Sequence, residues 1–365
     1  MAKLDGEVMS RDKVIATVRD GSITGSDAAL LPLFLKRTGD VAGWLADRAI
    51  DSHRTNSRLL KKALRLTSAD DIEVVLKVNA ATITDTYWFR QCGSVLKYED
   101  VRFKVNRFDK LALRGDPDSF NLPYSPTPEL TNIGSFEKCW RLSGDKWLMI
   151  KQGNDLERFS EQFIYRLGQA LGFCMAEYQP EDGTIKSPDF TDGASVNFES
   201  ANGIVGDDED YAVNFEAFWR LSPEIAEQYL QIIYLDTICF NMDRHTKNYG
   251  ILRDAGTGAV LRMAPNFDNN VALFARGIPE NLERSNDKLV SLFCDLLKRD
   301  DNALGIVQKF PVPDRDMIKD CAGQIAIRID QEVLCAYIMN GSGRIQDHIR
   351  GRMSKSPGPA GHPIF

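Results

Sequence analysis

The amino-acid sequence predicts an α+β fold built as two lobes, one strand-rich and one helical, with an extra N-terminal α+β segment. Three observations predict it. Between Lys138 and Lys151 short apolar runs are broken by a Gly144-Asp145 turn, the pattern of a strand pair. From Asp155 to about residue 350, long stretches keep apolar residues at helical spacing. Gly115, Pro117, Pro123, Pro126 and Pro128 interrupt the chain between these parts and a mixed front segment. The expected boundaries are a front segment at 1–114, a Pro-rich connection at 115–130, a strand-rich lobe at 131–200, a helical lobe at 201–350 and a flexible tail at 351–365.

Composition narrows the function. The 365 residues suit about two domains of ~150 residues. Lys and Arg number 45 against 52 Asp and Glu, a net charge of −7, which speaks against direct nucleic-acid or anionic-membrane binding. No run approaches the ~20 apolar residues of a membrane helix, and residues 1–7 carry no apolar leader. The seven cysteines are scattered without a C-x-x-C pair, as expected of reduced thiols in a cytoplasm. Cys239 and Cys335 sit among apolar neighbours and are expected as core residues.

The front segment should open with a hairpin, Glu7–Met9 against Val14–Val18. An apolar run at Leu30–Leu35 and a short helix at Gly43–Ile50 follow. Asn56 then caps a helix whose Leu59, Leu60, Ala63 and Leu64 share one face, with Arg58, Lys61, Lys62 and Arg65 as a solvated face. Thr82–Phe89, β-branched and aromatic, should be buried. Beyond the connection, Leu130–Lys151 predicts strand, glycine turn, strand, hairpin, strand. A helix from Asp155 to Leu171 carries the stripe Leu156, Phe159, Phe163, Leu167 and Leu171. The acidic run after Gly206 is expected as a solvated loop. Ser222-Pro223 opens another helix as N-cap and first-turn residue, and that helix should stop near Asn241.

The polar loop after that helix holds Asp243, Arg244, His245 and Asn248. Two short strands, Tyr249–Leu252 and Ala259–Met263, turn at 254–258 and deliver Asp268. Phosphoryl transfer needs such a set. One carboxylate orients the attacking hydroxyl and takes its proton, while an amide oxygen and a second carboxylate hold magnesium. Asp243 fits the first role, Asn248 and Asp268 the second. His245 is expected to brace the loop, and Arg244 to pair with Asp236. Upstream, Gly134 and Ser135 occupy a turn whose amides could meet phosphates, with Lys138 close by. Lys151 ends an apolar strand where its amine would reach the α- and β-phosphates. Glu161, or Glu157 one turn earlier, is placed on the next helix to pair with Lys151. The expectation is a protein-kinase-like fold binding ATP and Mg2+.

With these residues the chain resembles the HipA-like serine/threonine protein kinases. Asn241-x-Asp243-Arg-His245-x-x-Asn248 followed by Pro265-x-x-Asp268 is similar to that family's catalytic loop and metal motif. Gly134 to Lys138 matches its phosphate loop, Ile150-Lys151 its nucleotide lysine, and Ser160-Glu161 the helix that follows. The resemblance spans about residues 130–340, leaving the front segment outside it. It implies transfer of phosphate from ATP to Ser or Thr of a protein substrate, with Asp243 and His245 in the catalytic loop. The adenine hinge would fall between Ile185 and Phe198. It further implies a small DNA-binding, antitoxin-like partner, and self-regulation by autophosphorylation at Thr131 or Ser135. A small-molecule phosphotransferase and a catalytically weak, kinase-fold toxin–antitoxin component are the alternatives.

Overall fold

A computed structural model describes residues 4–66, 70–277 and 287–354. In chain order the front holds β1 (Gly6–Ser10), β2 (Lys13–Arg19), β3 (Ser22–Ser26), α1 (Leu33–Thr38), α2 (Val41–Asp47), α3 (Ser57–Ala63), α4 (Asp71–Leu76), β4 (Tyr87–Gln91), α5 (Tyr98–Val101) and α6 (Asp109–Arg114). Next come β5 (Lys138–Ser143), β6 (Lys146–Gln152), α7 (Asp155–Ala170), β7 (Gln179–Glu181), β8 (Thr184–Pro188), β9 (Val196–Ser200) and α8 (Asn202–Val205). The remainder is α9 (Tyr211–Trp219), α10 (Pro223–Cys239), β10 (Gly250–Asp254), β11 (Val260–Met263), α11 (Asp287–Arg299), α12 (Asp301–Val307), α13 (Arg315–Gly323) and α14 (Gln331–Met353). Short 3-10 turns lie at Pro117–Asn121, Pro128–Thr131 and Leu273–Arg276.

The compact units cut across the expected boundaries. One unit comprises Met1–Asn154, Ala176–Asp207 and His245–Phe267; the other comprises Asp155–Met175, Asp208–Arg244 and Asp268–Phe365. The first carries three sheets, ordered β3-β2-β1-β4, β5-β6-β8-β7 and β11-β10-β9. Among the described residues, the front segment belongs to the same unit as the β5–β6 pair. Met9, Trp88, Phe108 and Leu111 share one buried cluster with Cys139, Trp140, Trp147 and Ile150 of the β5–β6 pair. A second buried cluster, which includes Val8, Val18, Trp44, Leu45 and Phe89, draws on the front segment alone, so the front has a core of its own and shares another with β5–β6.

Within that unit the hairpin β1–β2 and the buried Tyr87–Phe89 run form as expected. The expected strand at Leu130–Ile133 does not form. Pro128 fixes the chain for a 3-10 turn, and Glu129 points inward to accept from the Trp140 amide at 2.7 Å and Asn106 Nδ2 at 2.8 Å. Asn56 stands at the N-cap of α3, yet its side chain makes no cap hydrogen bond there.

The second unit is helical. From Tyr229 to Cys239 nearly every residue of α10 is buried, and a helix apolar all round belongs at the centre of a bundle. On α7, Phe159, Phe163 and Leu167 are buried, while Leu156 of the expected stripe is exposed. Phe173, Tyr234 and Phe310 pack edge to face with centroids 5.2 to 6.2 Å apart. Cys239 and Cys335 are fully buried, as expected, and burial pushes the Cys239 thiol well up. α14 runs to Met353, into the region expected as a tail; residues 355–365 lie outside the described residues.

Ser222 caps α10, its Oγ accepting from the Ile225 amide at 3.2 Å, with Pro223 at the first helical position. Ser222→Ala is expected to cost about 1 kcal/mol, read as a lower urea midpoint. The helix ends at Phe240, whose left-handed backbone (φ 55°) turns the chain into the polar loop.

Candidate active site

In the first unit the strand pair β5–β6 positions two lysines. Their antiparallel register sets Lys138 directly opposite Lys151. Like charges opposed across a ladder are unfavourable unless an anion or other charge compensates them. The sequence held the signal: a two-residue turn at 144–145 opposes residues equidistant from it. Lys151 is largely buried, its Nζ 5.4 Å from the centre of the Tyr178 ring. Gly134 sits in the turn ahead of β5 with φ 108°, and a Cβ built on it would lie 2.4 Å from Lys138 Nζ. The lysine amine therefore rests on the bare glycine backbone.

Gly134→Ala would force a β-carbon into an unfavourable φ and displace that amine. It is expected to weaken MgATP binding about tenfold, with little change in melting temperature, in a titration with a fluorescent ATP analogue.

The two candidate phosphoacceptors differ in access. Thr131 is buried and donates its hydroxyl to the Ala81 carbonyl at 2.7 Å, whereas Ser135 is exposed.

Asn248 and His245 also belong to the first unit. His245 is exposed; its carbonyl accepts from the Asn248 amide at 2.9 Å, and its Nδ1 accepts from the Lys247 amide at 3.3 Å. His245 thus shapes the turn that presents the largely buried Asn248. Lys247 forms an ion pair with Asp47 of the front segment. The Asn202 amide bonds to the Thr246 carbonyl at 3.0 Å. Immediately before Asp268, Phe267 packs with Phe190 and Phe198, each centroid 5.6 Å from the others. Sequence reasoning missed this half-buried aromatic trio.

In the second unit one buried polar network orders both candidate aspartates. The Arg244 guanidinium grips Asp236 of α10 by two hydrogen bonds, Nε to Oδ2 at 2.9 Å and Nη2 to Oδ1 at 3.0 Å. This is the expected pair. Arg244 Nη2 also donates to Asn269 Oδ1 at 2.7 Å, and the Asn269 amide donates to Glu161 Oε2 of α7 at 3.0 Å. Asn241 adds a bond from its Nδ2 to Asp236 Oδ1 at 3.0 Å, and its Oδ1 accepts from the Asp243 amide at 3.2 Å.

Burial alone would lower the pKa of Arg244, but the Asp236 carboxylate outweighs it and holds the guanidinium above its ordinary range. For Asp236, burial pushes the carboxyl up against the pull of Arg244 and Asn241. Asp243 and Asp268 are each the immediate chain neighbour of a member of this network, Arg244 and Asn269. Asp243 itself is exposed and Asp268 half-buried.

Glu161 is fully buried, and its carboxylate supports the backbone beside Asp268. Sequence reasoning assigned it only a lysine. Asn241 opens the motif read in the sequence but was given no role there, and Asn269 carried no recognisable local signal.

The donor types suit a hard divalent cation: two carboxylates and an amide oxygen. Among the described residues, no group of three or more His, Cys, Asp or Glu side chains could hold a metal by itself.

No protein-family model and no curated protein matches the chain by sequence. Solved structures do match its fold. A Helicobacter pylori proinflammatory kinase, CtkA, aligns with TM-score 0.50 and 17% identity over 60% of this chain and 94% of its own. HipA of a Shewanella oneidensis toxin–antitoxin complex, solved with HipB and operator DNA, aligns with TM-score 0.55 and 13% identity over 94% of this chain and 99% of its own. The fold is therefore the α+β, kinase-like one that the sequence predicts.

Proposed function

We propose that this chain transfers the γ-phosphoryl group of MgATP to a Ser or Thr hydroxyl of a protein. One observation carries the reading: the Asp236–Arg244–Asn269–Glu161 network fixes the backbone on which Asp243 and Asp268 both stand. A network of buried charges is costly unless complete, and its placement at two exposed or half-exposed carboxylates suits catalysis better than bulk stability. Asp243 orients the acceptor hydroxyl and takes its proton, and His245 shapes the turn leading to Asn248. Asn248 and Asp268 would hold magnesium, which would neutralise charge on the phosphates. Lys151, with Lys138 and the Gly134–Ser135 turn, would bind those phosphates, and Glu161 would orient Lys151. The Phe190–Phe198–Phe267 trio offers an apolar face to the base.

Ser135 is our choice of self-phosphorylated residue, because its hydroxyl is exposed and that of Thr131 is spent on Ala81. Mass spectrometry after incubation with MgATP checks this; phosphate on Thr131 instead would reverse the assignment. A small DNA-binding partner is proposed by analogy with HipA, which was solved with HipB and operator DNA. The acidic balance of this chain assigns the DNA contacts to that partner. Labelled ATP on a protein array tests the whole reading. Phosphate on protein hydroxyls is the expected result, and labelling of small hydroxylated cations alone would favour a small-molecule phosphotransferase.

A further inference from the structure

We propose that residues 50–56 of the front segment are a strap that sets the shape of the Gly134 loop, with Arg54 and Asn56 as positioning residues. The inference rests on the nucleotide reading of that loop and assigns to the same task a segment that lies outside the kinase-like sequence motifs.

Three contacts run along the strap in order. The Ile50 amide bonds to the Leu130 carbonyl at 2.9 Å. Arg54, fully buried, donates from Nη1 to the Asn132 carbonyl at 3.3 Å and from Nη2 to Glu129 Oε2 at 3.4 Å. Asn56 donates from Nδ2 to Glu137 Oε2 at 2.6 Å and from its amide to Glu137 Oε1 at 3.3 Å. The loop is therefore gripped on both sides, at Asn132 and at Glu137. Residues 133–136 lie between the grips and include Gly134 and Ser135. From the loop side, Asn132 Nδ2 donates to Glu129 Oε2 at 3.0 Å, so the first grip is itself braced.

Asn56 shows what the strap gives up. At the start of α3 an asparagine side chain ordinarily accepts from an amide in the first helical turn. Here the side chain is turned so that Nδ2 donates to Glu137 and to the Ala112 carbonyl at 3.1 Å, and its oxygen, the atom that would cap, accepts from no amide of the helix. A residue serving the helix alone would do the reverse. Backbone amides that receive phosphate bind best when their directions are fixed beforehand, so a loop held at both ends favours nucleotide affinity.

The test is Asn56→Asp. Aspartate caps a helix as well as asparagine, but it sets a carboxylate against Glu137. The variant keeps α3 and releases the loop. Hydrogen exchange of the 133–137 amides should accelerate at least tenfold without nucleotide, and the KM for MgATP should rise about tenfold while kcat stays within threefold, in a chain that melts lower but remains folded at the assay temperature. Unchanged exchange overturns the strap, whatever the nucleotide does. Faster exchange with an unchanged KM overturns the positioning role. A wild-type chain that binds no ATP analogue overturns the nucleotide reading, and the exchange result then stands apart from it. Glu137→Gln, which keeps a hydrogen-bonding partner, should fall between wild type and Asn56→Asp in both measurements.

Discussion

On the proposed function, Asp243→Asn is expected to remove phosphoryl transfer and to leave the fold standing. Turnover of γ-labelled ATP should fall about a thousandfold, the scale expected when a positioned proton acceptor is lost. Denaturation should shift by no more than ~0.5 kcal/mol, because the side chain is exposed and the substitution changes no buried volume. The amide bond to Asn241 Oδ1 survives in the variant, so the loop keeps its shape. The KM for MgATP should stay near that of the wild type, since Asp243 faces the acceptor in this mechanism. Turnover within tenfold of wild type would remove Asp243 from the chemistry.

The second large effect is on stability and activity together. Asp236→Asn leaves the Arg244 guanidinium buried beside a neutral partner. Breaking one side of a buried pair costs about 3–5 kcal/mol, which a urea titration of the full chain would show. Pairing Asp236→Leu with Arg244→Met should recover most of that loss, because apolar residues of similar size fill the space without stranding a charge. Activity should not recover. Without Arg244 its bond to Asn269 is lost, and the 3.4 Å bond from Asn241 Nδ2 to Asn269 Oδ1 holds the backbone carrying Asp268 to the Asp243 loop more weakly. Turnover of the double variant is expected to stay about a hundredfold low, the scale of a misplaced catalytic group. A double variant both stable and fully active would show the network to be structural only.

Much of this arrangement could be read from local sequence. Ser222-Pro223 announced the start of α10, the polar run after Cys239 its end, and the Asp254–Gly258 turn the β10–β11 hairpin, because capping and turn chemistry act over a few residues. The pairing of Asp236 with Arg244 was also visible, since the two lie only eight positions apart. Long-range choices were hidden. Glu161 meets Asn269 across 108 positions, and no local pattern marks either as a partner. Leu130–Ile133 reads as a strand leading into the glycine turn, yet Pro128 and the bonds of Glu129 with Asn106 and Trp140 accompany a 3-10 corner there. The Pro-rich connection at 115–130 is irregular backbone with two short 3-10 turns, but how the parts on either side of it pack was hidden for a related reason. Proline marks irregular backbone there, but the apolar faces on either side complete each other, and composition does not record which face covers which.

The chain passes five times between its two units, and this order bears on how it is made. The sheet of β9, β10 and β11 needs residues as late as Met263, so the first unit remains unfinished until most of the polypeptide has left the ribosome. At ~5–20 residues per second, β9 waits on the order of ten seconds for β10 and β11 to complete its sheet. During that interval the buried Glu199 carboxylate lacks its partner Arg253. A nascent chain of this topology is a natural client for ribosome-associated chaperones, and slow codons ahead of residue 267 would lengthen its dependence on them.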